Sequence, residues 1–170
     1  MNAVARAWDV LDAVTDPEIP VVSLRELGIL RTIRPAGAGV EVVITPTYSG
    51  CPAMEQIAHD VRAALGSAGI AATVTTQLAP AWSTDWISAP AREKLRVYGI
   101  APPGPCDDAA PRGDTVVRLA PARAGDRVAV DCPRCGSHDT TEISHFGSTA
   151  CKALFRCLAC LEPFDHFKPH

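Results

Sequence analysis

Two C-x-x-C pairs near the C-terminus, Cys132-Pro133-Arg134-Cys135 and Cys157-Leu158-Ala159-Cys160, constrain this chain more than any other feature. Each pair can wrap two thiolates around one edge of a metal ion, and two such edges at right angles make the tetrahedron that zinc accepts. Gly136 permits the tight turn that aims backbone amides at sulfur. Residues 140–146 and 153–156 read as short strands, so the spacing predicts a zinc ribbon. A module of about 40 residues buries too little surface to fold alone, whereas structural zinc contributes on the order of 10–16 kcal/mol of coupled binding energy. Four thiolates leave no position for a substrate water, so the zinc is expected to build shape and not to catalyse. An iron-sulfur cluster on the same quartet stays open; a redox pair or disulfides fit two matched pairs poorly.

With 170 residues the chain holds a domain of about 100 residues besides this module. The seven cysteines are an odd number, and four of them sit in the matched pairs, which reads as metal ligation in a reducing cytosol and not as a disulfide scaffold. A net charge of -3 and a pI near 5.9 give no basic field for phosphate backbones, so nucleic acid is not expected as a partner. The first residues lack the apolar core of a signal peptide, and no apolar run is long enough to span a bilayer. The expectation is a cytoplasmic protein without a membrane partner.

Ahead of the ribbon, Val4, Trp8, Leu11 and Val14 recur at helical steps and predict an N-terminal amphipathic helix ending before Asp16-Pro17. Ser23-Leu24-Arg25-Glu26 has the spacing of a capping box, with Gly28 as a left-handed stop. The β-branched runs 29–33 and 40–44, separated by Pro35-Ala36-Gly37-Ala38-Gly39, predict an antiparallel hairpin. A second helix is expected over 53–65, with Met54, Ile57, Ala58, Val61 and Leu65 on its apolar stripe. Alternation of Ile70, Ala72, Val74, Thr76 and Leu78 predicts a third strand, and Ser88 caps a third helix with Ala91, Leu95 and Tyr98 inward and Gly99 as its stop. Prolines and glycines between Ala101 and Asp126 read as a linker. The expected division is a core over 1–100, a linker over 101–126 and a ribbon over 127–170.

Cys51 precedes Pro52, a favoured first helical residue, so it is expected at or next to the N-cap of the second helix. There the helix dipole would lower its pKa and favour a reactive thiolate; a small inert core cysteine is the competing reading. Asp16 and Glu18 can supply oxygen ligands, or simply cap their turn. Glu55 and His59, four apart, lack the further carboxylates of a di-iron site. His138, His145, His166 and His170 read as surface groups, with His145 also a candidate neighbour of the metal ligands. Trp82, Trp86 and Ile87 are either core packing or an exposed docking patch. Cys106 and Cys151 receive no role.

Taken in order, several motifs resemble the PaaD family of phenylacetate-degradation proteins. They are Asp16-Pro17-Glu18-Ile19-Pro20, Leu27-Gly28-Ile29, the segment Thr45 to Pro52, the segment Trp82 to Ile87, Gly99-Ile100-Ala101-Pro102-Pro103, both C-x-x-C pairs, Phe146-Gly147-Ser148-Thr149-Ala150-Cys151-Lys152, and Glu162-Pro163-Phe164. The acidic turn and the Thr45 to Pro52 loop are shared with the wider SufT-like iron-sulfur assembly proteins. The resemblance implies an α+β fold, a small SufT-like α/β sandwich with a short mixed sheet followed by a C-terminal zinc ribbon. It also implies that Cys51, with Asp16 and Glu18, serves cluster or iron transfer, and that the protein is an accessory factor and no enzyme. The implied client is the phenylacetyl-CoA epoxidase, above all its reductase subunit with a plant-type two-iron cluster; the alternative is a structural adaptor of the oxygenase complex. Cofactors follow as structural zinc and a transient iron-sulfur cluster or iron. One Cys51 per chain implies ligands from a homodimer partner or a client for any cluster on the core.

Overall fold

The computed structural model describes residues 2–48, 50–104 and 130–169. Helix α1 spans Ala3–Leu11, started by the Asn2 side chain accepting from the Ala5 amide at 2.8 Å, and it buries Ala7 and Leu11. It ends before the proline turn, as expected, but at Leu11, so Val14, expected on its apolar face, lies beyond the helix. The Ser23/Glu26 box forms in both directions: the Ser23 hydroxyl accepts from the Glu26 amide at 3.2 Å, and the Glu26 carboxylate accepts from the Ser23 amide at 2.9 Å. It closes a run of turns, not an α-helix.

Strands β1 (Leu30–Ala36) and β2 (Gly39–Ile44) pair antiparallel around Gly37-Ala38. From β2 the chain enters α2 (Met54–Ser67), which buries Ile57, Val61 and Leu65 and runs two residues beyond the expected stop at Leu65. It returns as β3 (Ala72–Thr76), parallel to β2, so the short mixed sheet has the order β1-β2-β3. Gly39 is required where β2 begins, because a Cβ there would lie 2.1 Å from the Ala71 carbonyl oxygen. The third strand stops at Thr76, and Leu78, expected on its buried face, is exposed. The physical reason is that β2 has no residue beyond Ile44 in the ladder; the Gln77 amide takes the Ile44 carbonyl as the last bond.

A short 3-10 turn, Thr84–Trp86, leads into α3 (Ala89–Tyr98), capped by the Ser88 hydroxyl on the Ala91 amide at 3.2 Å and stopped by Gly99 at φ 98°. Ala91 and Leu95 are buried, whereas Tyr98, expected inward, is half exposed because it sits in the last turn beyond the packed stripe. Among the described residues these are the three helices of an α+β fold in which α1 packs on α2, β1 and β2, and α2 packs on β3.

The C-terminal sheet has the order β4-β7-β6-β5. Strands β5 (Thr140–Ser144) and β6 (Lys152–Cys157), the two short strands expected of the ribbon, pair antiparallel, and β7 (Pro163–Phe167) adds antiparallel to β6. Strand β4 (Ile100–Ala101) follows α3 directly and pairs parallel with β7, so the ribbon's sheet contains a strand from the core side of the chain. Ala101, the first residue of the expected linker, is thus buried in that sheet, while residues 105–129, Cys106 among them, lie outside the described residues. Two buried clusters result. The larger unites the helices and first sheet with Ile100, Cys151 and Phe167; the smaller holds Val130, Phe155 and Phe164 around Cys132 and Cys157.

A candidate metal centre and a second cluster of sulfurs and carboxylates

The ribbon ligands are set by two knuckles with the same construction. In the first, the Gly136 amide donates to the Cys132 carbonyl at 2.9 Å, the Cys132 amide donates to the Ser137 carbonyl at 3.0 Å, and Gly136 adopts φ 74°. In the second, the Cys157 amide donates to the Glu162 carbonyl at 3.0 Å, and the left-handed residue is Leu161 at φ 65°. The Cys160 amide points at the Cys157 sulfur across 3.4 Å, and it is the main cause that pulls the Cys157 pKa down to about 6. The four sulfurs lie within 4.8 Å of one another, with Cys132 to Cys160 at 3.8 Å and Cys135 to Cys157 at 3.6 Å. A tetrahedron with zinc-sulfur bonds near 2.3 Å has edges of about 3.8 Å, which these two separations already match, so the quartet is arranged to accept zinc.

No described histidine joins this quartet. His138 bonds Asp131 and His145 faces Glu142, both at the surface. His166 corrects the expectation of a surface group: it is 6% exposed, packs edge-on against Phe155, and has its Nδ1 at 3.3 Å from the Ala101 carbonyl. It shares a face of β7 with buried Phe164, two residues away, and so faces inward, where desolvation lowers its pKa. His170 lies outside the described residues.

On the core, Asp16 is buried and its Oδ1 accepts from the amides of Glu18 and Ile19, both at 2.9 Å, so it caps its own turn. Burial nevertheless raises its pKa, against these two amides and Lys152, which lower it. Glu18 is raised by burial and then by Asp16. Cys51 is half-buried and its amide donates to the Tyr48 carbonyl at 3.2 Å. The helix begins at Met54 with Ala53 as N-cap, so Cys51 lies two residues ahead of the cap and not beside it. Its expected low pKa is also corrected. Burial pushes the thiol up, the Ala53 amide opposes this, and the charges of Glu18, Cys151 and Asp16 raise it further.

Of the two cysteines without a role in the sequence, Cys151 is the one among the described residues. It is buried in the larger cluster, against which Tyr48, Cys51 and Met54 also pack, and its pKa is raised by burial and by Glu18 and Asp16. Lys152 beside it is 4% exposed, 3.6 Å from Asp165, and its charge opposes the upward shifts of Asp16, Glu18 and Cys151. The ribbon's Phe146 to Lys152 segment is therefore part of the surroundings of the acidic turn. Its signal in the sequence was the odd cysteine inside a distinctive motif. Glu55 and His59 are exposed on α2. Trp82 and Ile87 are buried, with Trp82 donating to the Leu27 carbonyl at 2.9 Å and its ring 5.8 Å from Phe167. Core packing, not a docking patch, is what these residues do.

Residues 5–76 match the family described as iron-sulfur cluster assembly protein, and residues 119–168 match the PaaD zinc beta ribbon domain. The fold and site thus define an iron-sulfur-assembly-type domain that carries a zinc ribbon. The chain is 46% identical over 162 residues to the Escherichia coli (strain K12) protein named as the D component of a putative 1,2-phenylacetyl-CoA epoxidase, covering 95% of this chain and 90% of that one. It belongs to the PaaD family of phenylacetyl-CoA epoxidase components. Among solved structures, a domain of unknown function DUF59 from Bacillus anthracis shares the fold of the core, with 27% identity, a TM-score of 0.50, and coverage of 54% of this chain and 90% of that one. A conserved hypothetical protein from Thermotoga maritima matches at 25% identity and a TM-score of 0.46, over 56% of this chain and 98% of its own.

Proposed function

We propose that the chain is an accessory maturation factor of phenylacetate catabolism that carries or inserts iron, or an iron-sulfur cluster, for the phenylacetyl-CoA epoxidase, with the reductase subunit as client. It turns over no substrate of its own and acts in the cytoplasm. Cys51 takes the metal and Asp16 and Glu18 assist it, while Cys132, Cys135, Cys157 and Cys160 hold a structural zinc. The division into a core over 1–100, a linker over 101–126 and a ribbon over 127–170 belongs to the same reading.

The observation that carries the proposal is the coupling of a half-open thiol to two carboxylates of one turn, on a domain of the iron-sulfur assembly family. Sulfur and oxygen donors together suit iron, and partial exposure of Cys51 suits a donor that must hand its metal on. A purely structural adaptor has less in its favour, because Trp82 and Ile87, two of the three apolar residues that would dock it, are buried. The test is to produce the epoxidase reductase in cells carrying wild-type protein or Cys51→Ser. The variant keeps its fold and zinc, and the reductase loses cluster occupancy. Unchanged occupancy together with lost co-purification of the other epoxidase components would leave the adaptor reading in its place.

A further inference from the structure

The register of the C-terminal sheet sorts its side chains onto two faces. Lys152 lies opposite Phe167, and both are buried, Phe167 within the larger cluster. Ala153 lies opposite His166, Phe155 opposite Phe164, and Glu142 opposite Phe155, so these residues share the other face. That face holds a cavity of about 550 Å³, a size that takes a small organic ligand. Val130, Ile143, Ala153, Phe155 and Pro169 give it apolar walls, and none of the four zinc cysteines lines it.

Most of its polar lining is already engaged. The Thr140 hydroxyl donates to the Val130 carbonyl at 2.7 Å, the Ser144 hydroxyl to the Phe146 carbonyl at 2.8 Å, and the Lys168 ammonium to the His145 carbonyl at 3.2 Å. His145 in turn faces Glu142 at 3.3 Å. His166 differs. It is 6% exposed, and its Nδ1 lies 3.3 Å from the Ala101 carbonyl. A carbonyl only accepts, so Nδ1 carries the ring proton and Nε2 is a bare acceptor. Burial, which lowers the pKa of this imidazole, keeps a second proton off. Among the described residues no group bonds Nε2. His166 borders both this cavity and a neighbouring one; Ala101, the partner of Nδ1, belongs to the neighbouring one alone, which leaves the Nε2 edge for this one.

We propose that this cavity is a binding site for a flat apolar molecule carrying a single N–H or O–H donor, with His166 Nε2 as the acceptor that orients it. The site stands apart from Cys51 and does not depend on the transfer role. Phe155, whose ring stacks on Phe164, offers an aromatic wall that suits a flat ring. Apolar walls supply affinity without direction. The buried acceptor supplies direction, because a ligand without a donor would leave Nε2 both dry and unbonded.

The test uses full-length protein with its zinc quartet filled, titrated with indole and with N-methylindole, which has a similar shape but no donor. Calorimetry gives the affinities, and imidazole-nitrogen NMR reads His166. The expected result is one indole per chain, bound about tenfold more tightly than N-methylindole, with the Nε2 resonance moved upfield as that nitrogen accepts a hydrogen bond. In His166→Phe the two probes bind alike. Ile143→Asp, at an exposed wall residue, weakens both probes. Zinc content and far-ultraviolet circular dichroism report that the variants fold; if buried His166 cannot be replaced, the wild-type nitrogen shift decides. An unmoved Nε2 resonance, equal affinities in the wild type, a preference that survives in folded His166→Phe, or unchanged binding in Ile143→Asp each overturns the proposal.

Discussion

Truncating Phe167 to alanine is expected to loosen the ribbon from the core before it unfolds either. Phe167 is 1% exposed and belongs to the larger buried cluster, although it ends a strand of the ribbon's sheet. Its ring lies 5.8 Å from that of Trp82, which is itself pinned through its indole to the Leu27 carbonyl at 2.9 Å. The next residue, Lys168, holds the Cys151 carbonyl at 3.0 Å. Removing a buried phenylalanine costs about 3–5 kcal/mol. At about 1.4 kcal/mol per tenfold change, even the lower figure raises the population of a detached ribbon by about 100-fold. The assay is alkylation of Cys151 in zinc-loaded protein, followed by peptide mass spectrometry, beside urea unfolding read by tryptophan fluorescence. Alkylation at Cys151 follows the open population while opening and closing are fast. A lowered urea midpoint with unchanged Cys151 alkylation would refute the reasoning, for Phe167 would then support the core alone.

Gly28→Ala is expected to cost about 2–4 kcal/mol from left-handed strain and overpacking together, measured by urea denaturation. The position has φ 74°, and a Cβ there would meet the Trp86 Cβ at 2.6 Å; a loss below the lower figure would contradict this. Leu161→Gly relieves the left-handed strain of an exposed side chain at φ 65° and is expected to raise the ribbon's thermal midpoint, the net gain being about 0.5–1 kcal/mol after glycine's added chain entropy. An unchanged or lower midpoint would show that the strain is absent. His166 has its pKa depressed below the ordinary 6.5 by burial, so the unfolded chain protonates first and stability falls as pH drops from 6.5 through the folded value. His166→Phe is expected to flatten part of that decline in melts taken between neutral and acidic pH, leaving the slope due to the zinc thiolates; an identical slope would remove His166 from the explanation.

What was legible in the sequence was local. The knuckles follow from cysteine spacing, α3 from Ser88 and Gly99 at its ends, and the hairpin from two β-branched runs around a glycine turn. What was not legible depends on which distant residues meet. The pairing of Ile100-Ala101 with Asp165-His166 carries no local signal, and without it neither β4 nor the burial of His166 can be foreseen. The pKa of Cys51 shows the same division. A dipole argument read along the chain lowers it, but burial, then Glu18 and Cys151 from other parts of the fold, raise it. Cys151 carries no pairing signal in the sequence, whereas tertiary packing assigns it to the core.

Zinc and iron counted together on full-length protein after anaerobic iron(II) loading test most directly the separation between a closed zinc quartet and the half-open thiol of Cys51. Wild type is compared with Cys51→Ser. The expected result is one zinc per chain in both proteins and bound iron in the wild type alone. Equal iron in the variant, or iron gained only as zinc is lost, would contradict it.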